Sequence, residues 1–148
     1  MRTFRASPLL ALVIGAFSAW PAAASDCLPT VNAGWVRLPP VPMPMLAGFG
    51  RIENGCAAPM EIVAASSPAF ADVSVHQTSI VDGVSRMRAV PQLRIAPGGS
   101  AVLEPGGTHL MLMQPRGPLH AGDTVTIEFA LKDGGVLRGE FELRKPGG

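Results

Sequence analysis

Hydrophobic and polar residues alternate with period two along most of the chain after its first thirty residues. In the segment from Asp123 to Leu131, for example, Val125, Ile127 and Phe129 fall on one face. Side chains of a strand point alternately to its two faces, so this pattern predicts strands with one buried face. No helical period and no internal repeat accompanies it. Similar segments are Thr30–Leu38, Leu46–Glu53, Met60–Ala65, Leu93–Ala96, Ala101–Glu104, Thr108–Gln114 and Val136–Leu143.

Turn signals separate these segments, and the sharpest is Asp82-Gly83. A two-residue hairpin turn needs positive φ, which Asp-Gly supplies. The register that follows places Thr78 opposite Met87 and His76 opposite Ala89. Met87 is then a diagonal neighbour of His76 on the outward face, roughly 7–8 Å away at the backbone. Many short strands between Gly and Pro turns are typical of an all-β Greek-key sandwich or barrel.

The segment from Thr108 to Gln114 repeats the arrangement. Its leucines point to the expected core, and His109, Met111 and Met113 point outward. His109 and Met111, taken with His76 and Met87 of the hairpin, make two imidazoles and two thioethers, which are soft neutral ligands. Such a set suits Cu(I) far better than zinc, magnesium or calcium. Met113 lies two residues beyond Met111 on the same face of the strand. We therefore interpret it as a hydrophobic shield over the site rather than a ligand.

The spacing His76, ten residues, Met87, twenty-one residues, His109, one residue, Met111 resembles that of the periplasmic copper chaperones called PCuAC. The resemblance extends from about residue 35 to residue 141. It departs from the family pattern at three places near the ligands, none of which removes a ligand: Gln77, Arg86 and Thr108. Its further supporting segments are Ser66-Ser67-Pro68-Ala69, Asp82-Gly83, Met87-Arg88, Pro97-Gly98-Gly99 and Pro105–Met113.

This resemblance implies a cupredoxin-like sandwich that binds Cu(I) and passes it on. The acceptor would be a copper-accepting periplasmic or membrane-bound protein, such as a subunit of cytochrome c oxidase, or copper would be handled more generally in the periplasm. We expect a monomer. The stretch Pro39–Met45 carries four prolines, which exclude a central strand, so we predict an extended loop. Its Met43 and Met45 either lean over the site as outer neighbours of the ligands or pack an edge of the sandwich.

The first residues are typical of a secretory signal peptide, which we assign to residues 1–24. Arg2 and Arg5 precede an apolar run from Leu9 to Ala19, and Ala22-Ala23-Ala24 offers small residues for cleavage. The run is too short to span a membrane. Residues 25–148 are then one domain, and we predict export to the periplasm.

The rest of the composition excludes several functions. Without Arg2 and Arg5, ten Lys and Arg (12 − 2) face eleven Asp and Glu, so no basic patch favours nucleic acid. Export favours a disulfide between the two cysteines, Cys27 and Cys56. We expect no enzyme activity, because neither G-x-S-x-G nor H-E-x-x-H is present. Two alternatives remain, a metal-free interaction module and a blue-copper electron carrier, although the latter needs a cysteine thiolate near His109. His120 is interpreted as a surface histidine.

Overall fold

The computed structural model describes residues 27–147, and every regular element in that range is a β-strand. The prediction of an all-β fold is therefore confirmed. No helix in this part of the chain is long and apolar enough to cross a membrane. The predicted signal peptide, residues 1–24, lies outside the described residues. The ten strands are β1 Thr30–Arg37, β2 Met45–Glu53, β3 Met60–Ser66, β4 Phe70–Val81, β5 Val84–Ala89, β6 Leu93–Ile95, β7 Ser100–Leu103, β8 Thr108–Pro115, β9 Thr124–Leu131 and β10 Val136–Arg144.

Seven of these strands close into a barrel. They pair in the order β4-β8-β2-β1-β10-β9-β3, and Ala65 of β3 pairs with Val73 of β4 to complete the ring. The pairing of β1 with β10 is parallel, and the other pairings are antiparallel. Three short strands extend the ring: β5 beyond β4, β6 beside β3 and β7 beside β2. This arrangement confirms the predicted cupredoxin-like Greek-key barrel.

The inner side chains of the ring form one apolar core, as the period-two pattern predicts. Leu110 and Leu112 of β8 are completely buried, and Met111 between them points outward. Burying the apolar face of each strand is the main stabilising contribution, at roughly 25 cal/mol per Å² of apolar surface. The largest completely buried side chains are Phe70, Phe129 and Phe141.

The predicted loop Pro39–Met45 is one residue too long, because Met45 is the first residue of β2. Its neighbours explain the difference: Met45 pairs with Met113 of β8, and the Gln114 amide donates a 2.6 Å hydrogen bond to the Pro44 carbonyl. Pairing to β8 therefore begins directly after the last proline. Residues 39–44 lie outside the strands, as predicted.

A buried asparagine organises the turn that follows β2. The Asn54 side chain is 1% exposed and donates to the carbonyl oxygens of Ala58 at 2.9 Å and Ile95 at 3.2 Å. Its own oxygen accepts a bond from the Cys56 amide at 3.1 Å. Cys56 forms a disulfide with Cys27, which joins the start of the described chain to this turn.

Candidate metal centre

The hairpin of β4 and β5 positions the first histidine and methionine. Thr78 pairs with Met87 and His76 pairs with Ala89, which confirms the register predicted from the sequence. Asp82 and Gly83 both have positive φ, 52° and 75°, so the turn has the type I′ geometry that matches the twist of the strands.

The pairing of β4 with β8 brings the two histidines together. His76 lies directly opposite His109, and their ring centroids are 6.2 Å apart with the ring planes inclined by 29°. A metal–imidazole bond spans about 2 Å, so this separation is short enough for both rings to reach one ion after small rotations. Neither the pairing of these strands nor the contact between the rings follows from local sequence.

The Gly107 carbonyl oxygen fixes the ring of His109. It accepts a hydrogen bond from His109 Nδ1 at 3.0 Å and another from the Thr78 amide at 3.0 Å. A carbonyl can only accept, so Nδ1 carries the proton and Nε2 retains its lone pair. The whole His109 residue is only 9% exposed. His109 is thus held in the tautomer in which Nε2 can bind a metal ion.

His76 has a looser environment. The hydroxyl of Ser74 lies 3.0 Å from His76 Nε2, and a hydroxyl can serve as donor or acceptor. The His76 ring is half-buried, so water can reach both the ring and the Ser74 hydroxyl. If a metal ion displaces the bond between them, water can replace the lost partner of either group. Ser74 is also the cross-strand partner of Met111. The two predicted ligands of β8, His109 and Met111, therefore each face a residue of β4 on the outward side.

A cavity of about 230 Å³ on the outer face collects three of the four predicted ligands: Met87, His109 and Met111. His76 is not among the residues that line it and joins the group through its pairing with His109. The remaining lining residues are Arg37, Pro39, Met45, Leu46 and Ala47.

The donors of this group are electrically neutral. Among residues 27–147, no three His, Cys, Asp or Glu side chains gather into a group that could hold a metal ion. Arg37 is the one charged residue among the described residues that line the cavity, and its guanidinium lies 5.1 Å from the Phe49 ring centroid and 5.7 Å from that of Trp35. Imidazoles and thioethers without carboxylates fit a soft monovalent ion and offer no oxygen ligands to calcium or magnesium.

The outer methionines separate into three environments. Met45 lines the same cavity as Met87, His109 and Met111. Met43 lines a different cavity, formed by the proline-rich loop and the segment after β8. Met113 pairs with Met45 of β2 and Asp72 of β4, two residues along β8 from Met111, and lies beside the cavity.

Two other sequence interpretations concern the surroundings of the site. His120 lies away from the cavity, is 74% exposed and contacts Asp123 at 3.3 Å, in agreement with a surface histidine. Sequence reasoning did not find Arg37 or Ala47 as neighbours of the site. Their outward position in β1 and β2 can be read from the alternation, but the order β1-β2-β8, which brings them to the ligands, cannot.

The family of the chain follows from its sequence. The model of the LpqE-like family, described as "Putative lipoprotein LpqE-like", matches residues 30–142. The chain belongs to this family. A relative from Leifsonia xyli subsp. xyli (strain CTCB07), named "Putative lipoprotein Lxx21020", is 32% identical over 105 residues, which cover 70% of this chain. The chain spans about 62% of the length of that relative.

Several solved structures have a similar fold, and two of them illustrate the likeness. The solution structure of CuI-DR1885 from Deinococcus radiodurans is 28% identical and superposes with a TM-score of 0.66, covering 84% of this chain and 85% of that one. The copper-bound PCuAC domain from PmoF2 has a TM-score of 0.64 at 16% identity, covering 78% of this chain and 92% of that domain. The resemblance to PCuAC that the residue spacing indicated is thereby confirmed.

Proposed function

We propose that this protein is a copper chaperone that binds one Cu(I) ion through His76, Met87, His109 and Met111. The observation that carries the proposal is the direct pairing of His76 with His109 beside a cavity lined by His109 and both methionines. Two imidazoles and two thioethers are the ligand types that favour Cu(I). Of the two similar structures, one is a CuI protein and the other a copper-bound domain, which supports the same cargo.

The same ligand set suits a carrier, which must release its ion as well as bind it. Met87 is 51% exposed, and the cavity is open at the surface. None of the four ligands carries a charge that would hold Cu(I) electrostatically, so an acceptor can replace them one at a time. We infer that the ion is delivered outside the cytoplasm, in the periplasm, to a copper-accepting protein, with cytochrome c oxidase as the candidate recipient. Transfer of an intact ion requires no catalysis, so we propose a carrier rather than an enzyme.

A blue-copper electron carrier is a weaker candidate. Such a site uses a cysteine thiolate together with two histidines. The sequence contains two cysteines, and both are in the Cys27–Cys56 disulfide. They lie at a different cavity from His109 and Met111.

Anaerobic titration tests the proposal. The protein would be titrated with Cu(I) and, in parallel, with Zn(II), and X-ray absorption at the copper edge would give the ligand types. We expect one Cu(I) per chain with nitrogen and sulfur ligands, and much weaker binding of Zn(II). The metal-free interaction module predicts no specific Cu(I) binding, so that result would contradict the proposed function. Copper bound by nitrogen and oxygen alone would contradict the assignment of the methionines.

A further inference from the structure

The outer cavity contains one thioether more than the proposed ligand set. Met45, Met87 and Met111 reach it from three strands, β2, β5 and β8, and His109 supplies the only imidazole in its wall. Met45 is 41% exposed and Met87 is 51% exposed, so the two lie at the open side of the cavity. His76 lies outside this lining. The cavity therefore has a soft donor set that does not include His76.

Strand register gives Met45 its place in this set. Ala47 pairs with Met111, and Met45 pairs with Met113, so Met45 is a diagonal neighbour of Met111 on the outward face. Diagonal neighbours lie roughly 7–8 Å apart at the backbone, within reach of long side chains. Ala47 has a small side chain, which leaves space between Met45 and Met111 above the sheet.

Three neutral thioethers form a chemically complete set for Cu(I). Thioether sulfur is a soft ligand that selects Cu(I) over harder ions. Methionine is also unbranched and flexible, so its sulfur can follow an ion over a short distance. Exchange of the two imidazoles for the sulfur of Met45 moves no electron, and it changes no net charge because all three of these ligands are neutral.

We propose that Met45, Met87 and Met111 form a second Cu(I) position, to which the ion moves from the histidine pair before it is passed on. This inference rests on the proposed function and deepens it, since it names the route by which copper leaves the site. In the first position the ion is held by both histidines. In the second, the sulfur of Met45 joins those of Met87 and Met111, both imidazoles are released, and the ion lies at the exposed side of the cavity, where an acceptor with soft ligands can reach it.

Met43 provides a matched control for Met45. The two residues are separated by one proline, are both exposed, at 47% and 41%, and differ in the cavity they line. Replacement by leucine keeps the bulk of each side chain and removes its sulfur. Any general effect of altering the proline-rich segment should be similar in both variants.

The first experiment isolates the second position by removing His76. In His76→Ala protein loaded anaerobically with Cu(I), X-ray absorption should give three sulfur ligands per copper. Adding Met45→Leu should lower Cu(I) affinity a further roughly tenfold, whereas adding Met43→Leu should change it less than about twofold. Competition with a chromogenic Cu(I) chelator measures both effects.

The second experiment uses the histidine-containing protein, so it does not depend on the His76→Ala background. Met45→Leu should slow transfer of Cu(I) to excess chelator several-fold and leave the equilibrium affinity nearly unchanged, and Met43→Leu should do neither. Circular dichroism of each variant would verify the fold. Equal effects of Met45→Leu and Met43→Leu in both experiments would overturn the inference alone. Absence of Cu(I) binding by the unmodified protein would overturn the proposed function, and this inference with it.

Discussion

His76 and His109 face each other across β4 and β8, with ring centroids 6.2 Å apart. If both rings bind the same ion, removal of either should weaken Cu(I) binding. We expect His76→Ala and His109→Ala each to lower the affinity at least roughly tenfold, equivalent to about 1.4 kcal/mol. His120→Ala is the control, because that ring is exposed and pairs with Asp123, away from the proposed ligands. Competition with a Cu(I) chelator measures all three, and an equal effect of His120→Ala would contradict the assignment.

Met111 and Met113 share a strand face, but only Met111 lines the cavity. Replacement by leucine preserves volume and apolar character while removing the ligand sulfur. Met111→Leu should therefore lower Cu(I) affinity clearly, and Met113→Leu should leave it nearly unchanged.

Measurement of the rate at which air oxidises the bound ion would test the shielding role of Met113. Met113→Ala, which removes the bulk, should speed oxidation more than Met113→Leu. Equal losses of affinity in Met111→Leu and Met113→Leu would mean that Met113 is also a ligand.

The Cys27–Cys56 disulfide should contribute to stability without affecting copper. The two cysteines are 29 residues apart in sequence, and the chain-entropy model gives a loop of this size about 3–4 kcal/mol. Replacing both cysteines by serine should lower the free energy of unfolding by that amount, measured by urea denaturation. Cu(I) affinity should be unchanged, because the bridge borders a different cavity. Two alkylatable thiols in native unreduced protein would contradict this prediction.

Asn54 is expected to be critical for stability in spite of its position in a turn. Its amide donates to the carbonyl of Ala58 in the turn and to that of Ile95 in β6, and the side chain is buried. Asn54→Ala leaves these carbonyls without their donor and should destabilise the protein by about 1–3 kcal/mol. Asn32→Ala is a suitable control, because the Asn32 amide is exposed. Its replacement should lower the free energy of unfolding by less than about 0.5 kcal/mol. Similar unfolding curves for the two variants would show that the buried bonds of Asn54 contribute little.

Local sequence determined most of the strands and the direction in which their side chains point. Alternation has a period of two only in strands, and Asp82-Gly83 favours one turn type, so the register that pairs Thr78 with Met87 could be predicted. The same reasoning predicted the outward direction of His109 and Met111. The chemistry of the proposed ligands was visible too, since imidazole and thioether are properties of single residues.

Only the tertiary structure decided which strands lie side by side. The pairing of β4 with β8 opposes His76 to His109, and the pairing of β2 with β8 brings Met45 to the cavity that Met43 does not reach. Barrel closure selects these neighbours because it buries the inner faces of all seven strands together, and no short stretch of sequence contains that information. The buried bonds of Asn54 have the same origin, since their acceptor at Ile95 belongs to a distant strand.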